Sequence, residues 1–436
     1  MRMNKLLCFI LAGLQGVALA QSSMSLEEAW KRALEQNHTI RISKITTEIA
    51  ANTVTKGNAG MLPTFNLQGG ASLQRNNTDL DFAGSLPDVS RRGVQNYSYN
   101  GSVVANYRIY GGGNAWYNLM QLDNRYQTAV NLEAIAIEGT LLQVANAYFN
   151  LLLQQENVRI LTQSLATGRD RITLAQERQR LGTGTQLEKL NAQVNQVTDS
   201  ISLLNANLAI SAASRQLAFL LKMPMESLLV ADISLESESQ INEWLSINPE
   251  GQATAVVATL LAMESAKLVE SQNRAIRLPS LDATASYGYN KQINEVGVVL
   301  SSQNLGLNAG LTLSWNLFDG GRRRILLQNS MKQVEANTQL IDQARTQVRR
   351  EWLDAVDRLK TQQSARNLLK TQIAAVQMNY QRTAELYRLG QVGSTVFREA
   401  QLNLMQVLQL QRQAQVGEKL AEIEIKRLAG RLLQNE

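Results

Sequence analysis

The stretch "NLGLNAGLTLSWNLFDGG", Asn304 to Gly321, alternates between two chemistries. Leu305, Leu307, Ala309, Leu311, Leu313, Trp315 and Leu317 point one way, because strand side chains alternate with period two. Gly306, Asn308, Gly310, Thr312, Ser314 and Asn316 point the other way. The run exceeds the usual strand of about five or six residues. Such a strand needs oil on one side and water on the other.

Export accounts for part of this. The chain opens "MRMNKLLCFILAGLQGVALAQSS", with basic Arg2 and Lys5, an apolar stretch, and Ala18-Leu19-Ala20 in the small-x-small pattern; this predicts a signal peptide over residues 1–20. The sole cysteine, Cys8, falls inside it, so disulfides and cysteine metal sites are excluded from the mature chain. Forty-three basic against 37 acidic residues, less Arg2 and Lys5, leave about +4, too little to indicate nucleic acid. No mature segment approaches the roughly 18 consecutive apolar residues of a membrane helix. Membrane entry therefore requires strands.

A duplication at a spacing of about 208 residues organises the chain. "NYRIYGGGNAW" (Asn106 to Trp116) lines up with "SWNLFDGGRRR" (Ser314 to Arg324), and "ERQRLGTGTQLEKLNAQ" (Glu177 to Gln193) with "ELYRLGQVGSTVFREAQ" (Glu385 to Gln401). "GMLPTFNLQGGASLQ" (Gly60 to Gln74) resembles "IRLPSLDATASYGYN" (Ile276 to Asn290). Residues 21–223 and 252–436 are read as two repeats, each helix, strand, strand, very long helix, turn, helix. A mixed linker segment, 224–251, carries Pro249 and the acidic "ESESQ". Ser25 and Glu28 predict a capping box at the first helix, which runs toward Gly57.

Between Asn114 and about Leu181, and between Arg322 and about Leu389, no proline occurs, which predicts two helices of about 70 residues and ~100 Å. Val130, Ile137, Val144 and Leu151 recur every seven, and Leu190, Val194, Val197, Ile201, Leu204 and Leu208 continue the three-and-four spacing after the turn. This predicts helix packed on helix. The last helix is glutamine-rich, as for a wet face.

Four amphipathic strands cannot close a barrel, since about eight is the smallest membrane barrel and open edges are forbidden in lipid. Two copies would give eight strands with a filled interior; three would give twelve and a lumen. The expected fold is mainly α with a membrane β-barrel: a long antiparallel helical tunnel plus four strands per subunit, trimerising into a 12-stranded barrel. Asn308 and Asn316 are the expected pore-lining strand residues.

In order and spacing these motifs resemble the TolC-like outer-membrane efflux and secretion channels over essentially the whole mature chain. "MSLEEAWKRALEQN" is similar to the family's opening helix, "LPTFNLQGGASL" and "LPSLDATASYGYN" to its proline-led strands, and "RLGTGTQLEKLNAQ" and "RLGQVGSTVFREAQ" to its helix-tip turns. The resemblance implies a homotrimer in outer-membrane lipid, reaching through the periplasm to an adaptor (membrane fusion protein) and an inner-membrane ABC or RND transporter. The residues themselves lead to the expectation of no cofactor and no enzymatic activity. His38 stands where the family usually has proline.

The resemblance also implies a constriction at the helix tips. Tyr387 matches a gate tyrosine, Glu188 a gate carboxylate and Glu399 a ring carboxylate; Val396 and Val392 replace a second ring carboxylate and a gate arginine. Gly182, Gly184, Gly390 and Gly393 are the tip turns, where the resembled adaptor docks. Structural readings stand beside these. Thr185 and Glu188 form a capping-box pattern, Glu399 is a first-turn charge beside Arg398, Tyr387 sits on a heptad helix, and the glycines supply left-handed turn geometry.

No hydrolase, nucleotide or metal constellation is apparent: His38 has no second histidine or cysteine beside it, and "YGGGNAW" lacks the phosphate-loop lysine. A passive exit duct is the leading reading. A trimeric membrane-anchored coiled-coil adhesin or spacer is the alternative, although it would need no polar strand face.

Overall fold

The structure is a computed structural model that describes residues 23–81, 83–84, 87–232, 247–251 and 253–432. The predicted signal peptide and the "ESESQ" segment lie outside the described residues.

The elements run β1 (Ser23–Met24), α1 (Leu26–Gln36), α2 (His38–Thr53), β2 (Thr64–Leu80), β3 (Val89–Gly111), α3 (Asn114–Arg180), α4 (Gln186–Leu220) and β4 (Val230–Ala231). Past a 3-10 turn at Pro249–Gly251 follow α5 (Thr254–Ala275), β5 (Ser280–Asn294), β6 (Ser301–Ser314), α6 (Arg322–Arg388) and α7 (Ser394–Leu428). The 67-residue helices α3 and α6, and the 35-residue helices α4 and α7, begin and end 208 residues apart.

The chain forms two compact units. One comprises the residues up to Ile45, Asn131–Val257 and those from Gln343 onward; the other comprises Thr46–Val130 and Ala258–Asp342.

The first unit is helical apart from the short parallel pair of β1 and β4. Its core gathers Val144, Leu151 and Leu152 of α3 with Leu217 and Leu221 at the end of α4, all but removed from solvent. Burying such side chains contributes about 1.5–3 kcal/mol each. Ser25 and Glu28 make both halves of the capping box at α1. The first helix does not run unbroken: Asn37 is extended, its Oδ1 accepts from the backbone of Thr39 and Ile40, and its Nδ2 donates to the Leu220 carbonyl at 2.8 Å. Asn37 thus closes α1 and opens α2, while His38 is exposed.

The three-and-four series of α4 stays largely exposed among the described residues. Leu190, Val194, Val197, Ile201, Leu204 and Leu208 are 47% to 68% exposed. The helix buries Ala192, Asp199, Ala206, Ala213 and Leu220 instead, a separate seven-residue stripe in which three alanines let neighbouring helices approach. In the glutamine-rich α7, Gln401 is buried and donates to the Ser164 hydroxyl at 3.0 Å.

The second unit holds an antiparallel sheet of order β2-β3-β5-β6. Its register aligns like with like. Leu67, Val103, Tyr287 and Leu307 form one cross-strand row, and Phe65, Ala105, Ala285 and Ala309 the next on the same face. The other face carries Gly70, Asn100, Asn290 and Asn304, then Ser72, Ser98, Gln292 and Ser302. The aliphatic face gives out at the row Ala71, Tyr99, Lys291 and Gln303.

α5 is long and apolar enough to cross a membrane by length and mean hydropathy. Its Ser265 and Leu261 accept hydrogen bonds from Gln121 and Asn124 of α3, which ties it to that helix within this unit.

Candidate functional site

Two regions answer to the chemistry read from the sequence: the sheet in one unit and the helix tips in the other.

The sheet leaves β2 and β6 as unpaired edges among the described residues. Its apolar face is uncovered, with Leu67 84% and Leu307 70% exposed. Water would make such a surface costly and an aggregation template; hydrocarbon would not. Asn308 lies within β6, opposite Ser286, on the polar face.

Asn316 is a correction: β6 ends at Ser314, so Asn316 lies beyond the strand. The register explains why. Ser314 pairs with Ser280, the first residue of β5; the next position on that side is Pro279, which has no N–H to offer the ladder. The Trp315 indole donates to the Arg277 carbonyl at 3.2 Å instead, and Arg323 donates to the Asn316 carbonyl.

At the tips, α3 turns into α4 and α6 into α7. Thr185 caps α4 by accepting from the Glu188 backbone at 3.2 Å. The reciprocal half of that capping box is not made. Glu188 turns its carboxylate toward Arg178, 3.5 Å away, so the charge serves a contact between chain segments rather than its own helix end.

Arg178 is the residue that the sequence analysis missed. Its guanidinium lies 4.8 Å from the Tyr387 ring centroid and donates to the carbonyls of Tyr387 and Arg388, the latter at 3.2 Å. Val392 occupies the position where the resembled family carries an arginine, and here the positive charge comes from the opposite hairpin. Its signal was its place seven residues after Arg171 and fourteen after Ser164, on one stripe of α3.

Tyr387 is 2% exposed and stacks on Phe397 at 5.1 Å, while Tyr380, one heptad earlier, stacks on Phe397 at 5.7 Å. Burial raises the Tyr387 phenol above its ordinary range, and the Glu188 charge adds to the rise. Glu399 is exposed at the start of α7, with Val396 also exposed one turn before it. A cleft of about 660 Å³ between the tips is lined by Arg178, Glu188, Asn191, Arg388, Val392 and Ser394.

The four tip glycines do not share one role. Gly182 and Gly390 have φ of +74° and +77°, the left-handed region that disfavours any side chain. Gly184 does not: a Cβ there would sit 2.7 Å from the Arg178 Cβ, so its requirement is close approach. Gly393 is the extended N-cap residue of α7, in open space.

The family model for outer membrane efflux protein matches residues 29–221 and 252–431. The chain is 24% identical to the outer membrane protein TolC of Vibrio cholerae, covering 75% of this chain and 73% of that one. It is 22% identical to protein CyaE of Bordetella pertussis over 77% of this chain, and spans 66% of the length of CyaE. Among solved structures it is similar to the Campylobacter jejuni CmeC outer membrane channel, with a TM-score of 0.76 at 15% identity, over 94% of this chain and 87% of that one.

Proposed function

Because the chain belongs to the outer membrane efflux protein family, we propose that it is the passive exit channel of a tripartite efflux or type I secretion system. Three copies close a twelve-stranded barrel in the outer membrane, and the helices extend into the periplasm. The observation that carries this reading is the sheet: four strands, two edges free among the described residues, one largely apolar face and one polar face. In lipid the free edges must pair, and β6 of one copy has β2 of the next available to it. The uncovered aliphatic series on α4 supports the same assembly, since a neighbouring copy would bury it.

In this reading Asn308 lines the lumen. The helix tips form the periplasmic mouth, where Tyr387 and Glu188, joined through Arg178, hold the hairpins together. Three copies of Glu399 around a narrow aperture favour cations. Gly182, Gly184, Gly390 and Gly393 shape the tips on which a periplasmic adaptor docks, bridging to an inner-membrane ABC or RND transporter.

Single-channel recording in planar bilayers, on material whose native mass is that of three subunits, tests the proposal. Discrete conductance steps are expected. A trimer without conductance, or conductance from a monomer, would overturn it.

A further inference from the structure

The largest fully buried side chain among the described residues is that of Arg171, on α3 midway between Ser164 and Arg178. It is 2% exposed, and none of Nε, Nη1 and Nη2 has a hydrogen-bond partner in the described structure. An arginine cannot escape this by losing its proton. A buried unpaired guanidinium is strongly unfavourable unless something completes it.

The neighbouring groups do not complete it. Asp199, itself 3% exposed, is held by Arg398, whose Nη2 and Nη1 donate to its two oxygens at 2.5 and 2.9 Å. Ser164 donates to Asp199 at 2.8 Å, and Gln401 accepts from Arg398 at 3.1 Å and donates to Ser164. That network is closed around one carboxylate and one guanidinium, so it leaves no hydrogen-bonded counter-charge for Arg171. Burial lowers the Arg171 pKa, and the Arg398 charge lowers it further, against the opposing influence of Tyr387, Asp199 and Tyr380.

One turn before Arg171 the helix carries Gly168, which is buried; no atom outside the local backbone lies within 4 Å of where its side chain would begin. Helical side chains lean toward the preceding turn, so Arg171 and Gly168 share a face. A second macromolecule cannot reach a side chain that is 2% exposed. A small ion can.

We propose that Arg171 forms an internal anion site, taking one monovalent, halide-sized anion in the space beside Gly168. The anion supplies the charge that Asp199, committed to Arg398, cannot. This assignment is independent of what the channel transports.

The test is thermal unfolding of the full-length detergent-purified protein in sodium bromide against sodium gluconate at equal ionic strength. Bromide is expected to raise Tm saturably in the wild type. Arg171→Met should abolish that dependence and, having removed the unpaired charge, unfold in gluconate no earlier than the wild type. Wild-type crystals grown in bromide should show an anomalous peak at the Arg171 guanidinium, and that map decides the matter if the variant fails to fold. A bromide effect that survives in Arg171→Met, no bromide effect in the wild type, or peaks confined to the exterior, meaning an adventitious ion only, would each overturn the site.

Discussion

The Arg178 guanidinium lies over the ring of Tyr387, 4.8 Å from its centroid, although 209 positions separate the two residues in the chain. One side chain thereby ties the α3–α4 tip to the α6–α7 tip. It engages Glu188 on the first and two backbone carbonyls on the second.

Arg178→Gln removes the ion pair and the cation–π contact together. Both partners are mostly shielded from solvent, so the loss should be about 1–2 kcal/mol. Backbone amides at 182–186 and 389–393 should exchange faster with deuterium, and the time-averaged single-channel conductance should rise. Unchanged protection at both tips would show that Arg178 is not the tie.

Gly184→Ala and Gly393→Ala separate two kinds of turn glycine. An alanine Cβ at 184 meets the Arg178 Cβ at 2.7 Å, whereas one at 393 meets nothing within 4 Å. Overpacking of this kind costs about 1–3 kcal/mol. The expected result is a distinctly larger fall in Tm for Gly184→Ala; equal falls would discard the close-approach explanation.

Acid stability should depend on Glu156. Hydrogen bonds from Arg159, at 2.9 and 2.6 Å, hold its carboxyl below its ordinary value of 4.5, with Arg412 nearby at 3.5 Å. A depressed carboxyl contributes stability that is present above about pH 4.5 and is lost as pH falls through the folded value. Glu156→Gln should therefore lower stability at neutral pH and flatten the loss below about pH 4.5, read by denaturant unfolding across a pH series. A parallel loss in both proteins would assign the acid limb to other groups.

Glu399→Gln should weaken cation preference. Its neighbour Arg398 is occupied by Asp199, so the Glu399 charge is not neutralised from that side. A fall in the cation-to-anion permeability ratio of roughly twofold is expected from reversal potentials in asymmetric salt. An unaltered reversal potential would take Glu399 out of the conduction path.

The strand pattern and the two 67-residue helices were legible in the sequence because each follows from a short local period: two for a strand, three to four for a helix. The turn glycines were legible as turns, but Gly184 needs its contact with Arg178 to explain it, and that contact is a fact of three dimensions. The end of β6 required its register with β5, which puts Pro279 opposite Trp315.

Periodicity alone settled that α4 has an apolar stripe and could not settle what the stripe meets. The conspicuous one, Leu190 to Leu208, remains exposed within the chain, and an inconspicuous alanine stripe carrying Asp199 is buried. The hydrophobic period along a helix is a property of neighbouring residues, so sequence determines it. Which of two stripes faces inward depends on the helices that arrive beside it, and the pairing of Asp199 with Arg398, 199 positions away, exists only once they have packed.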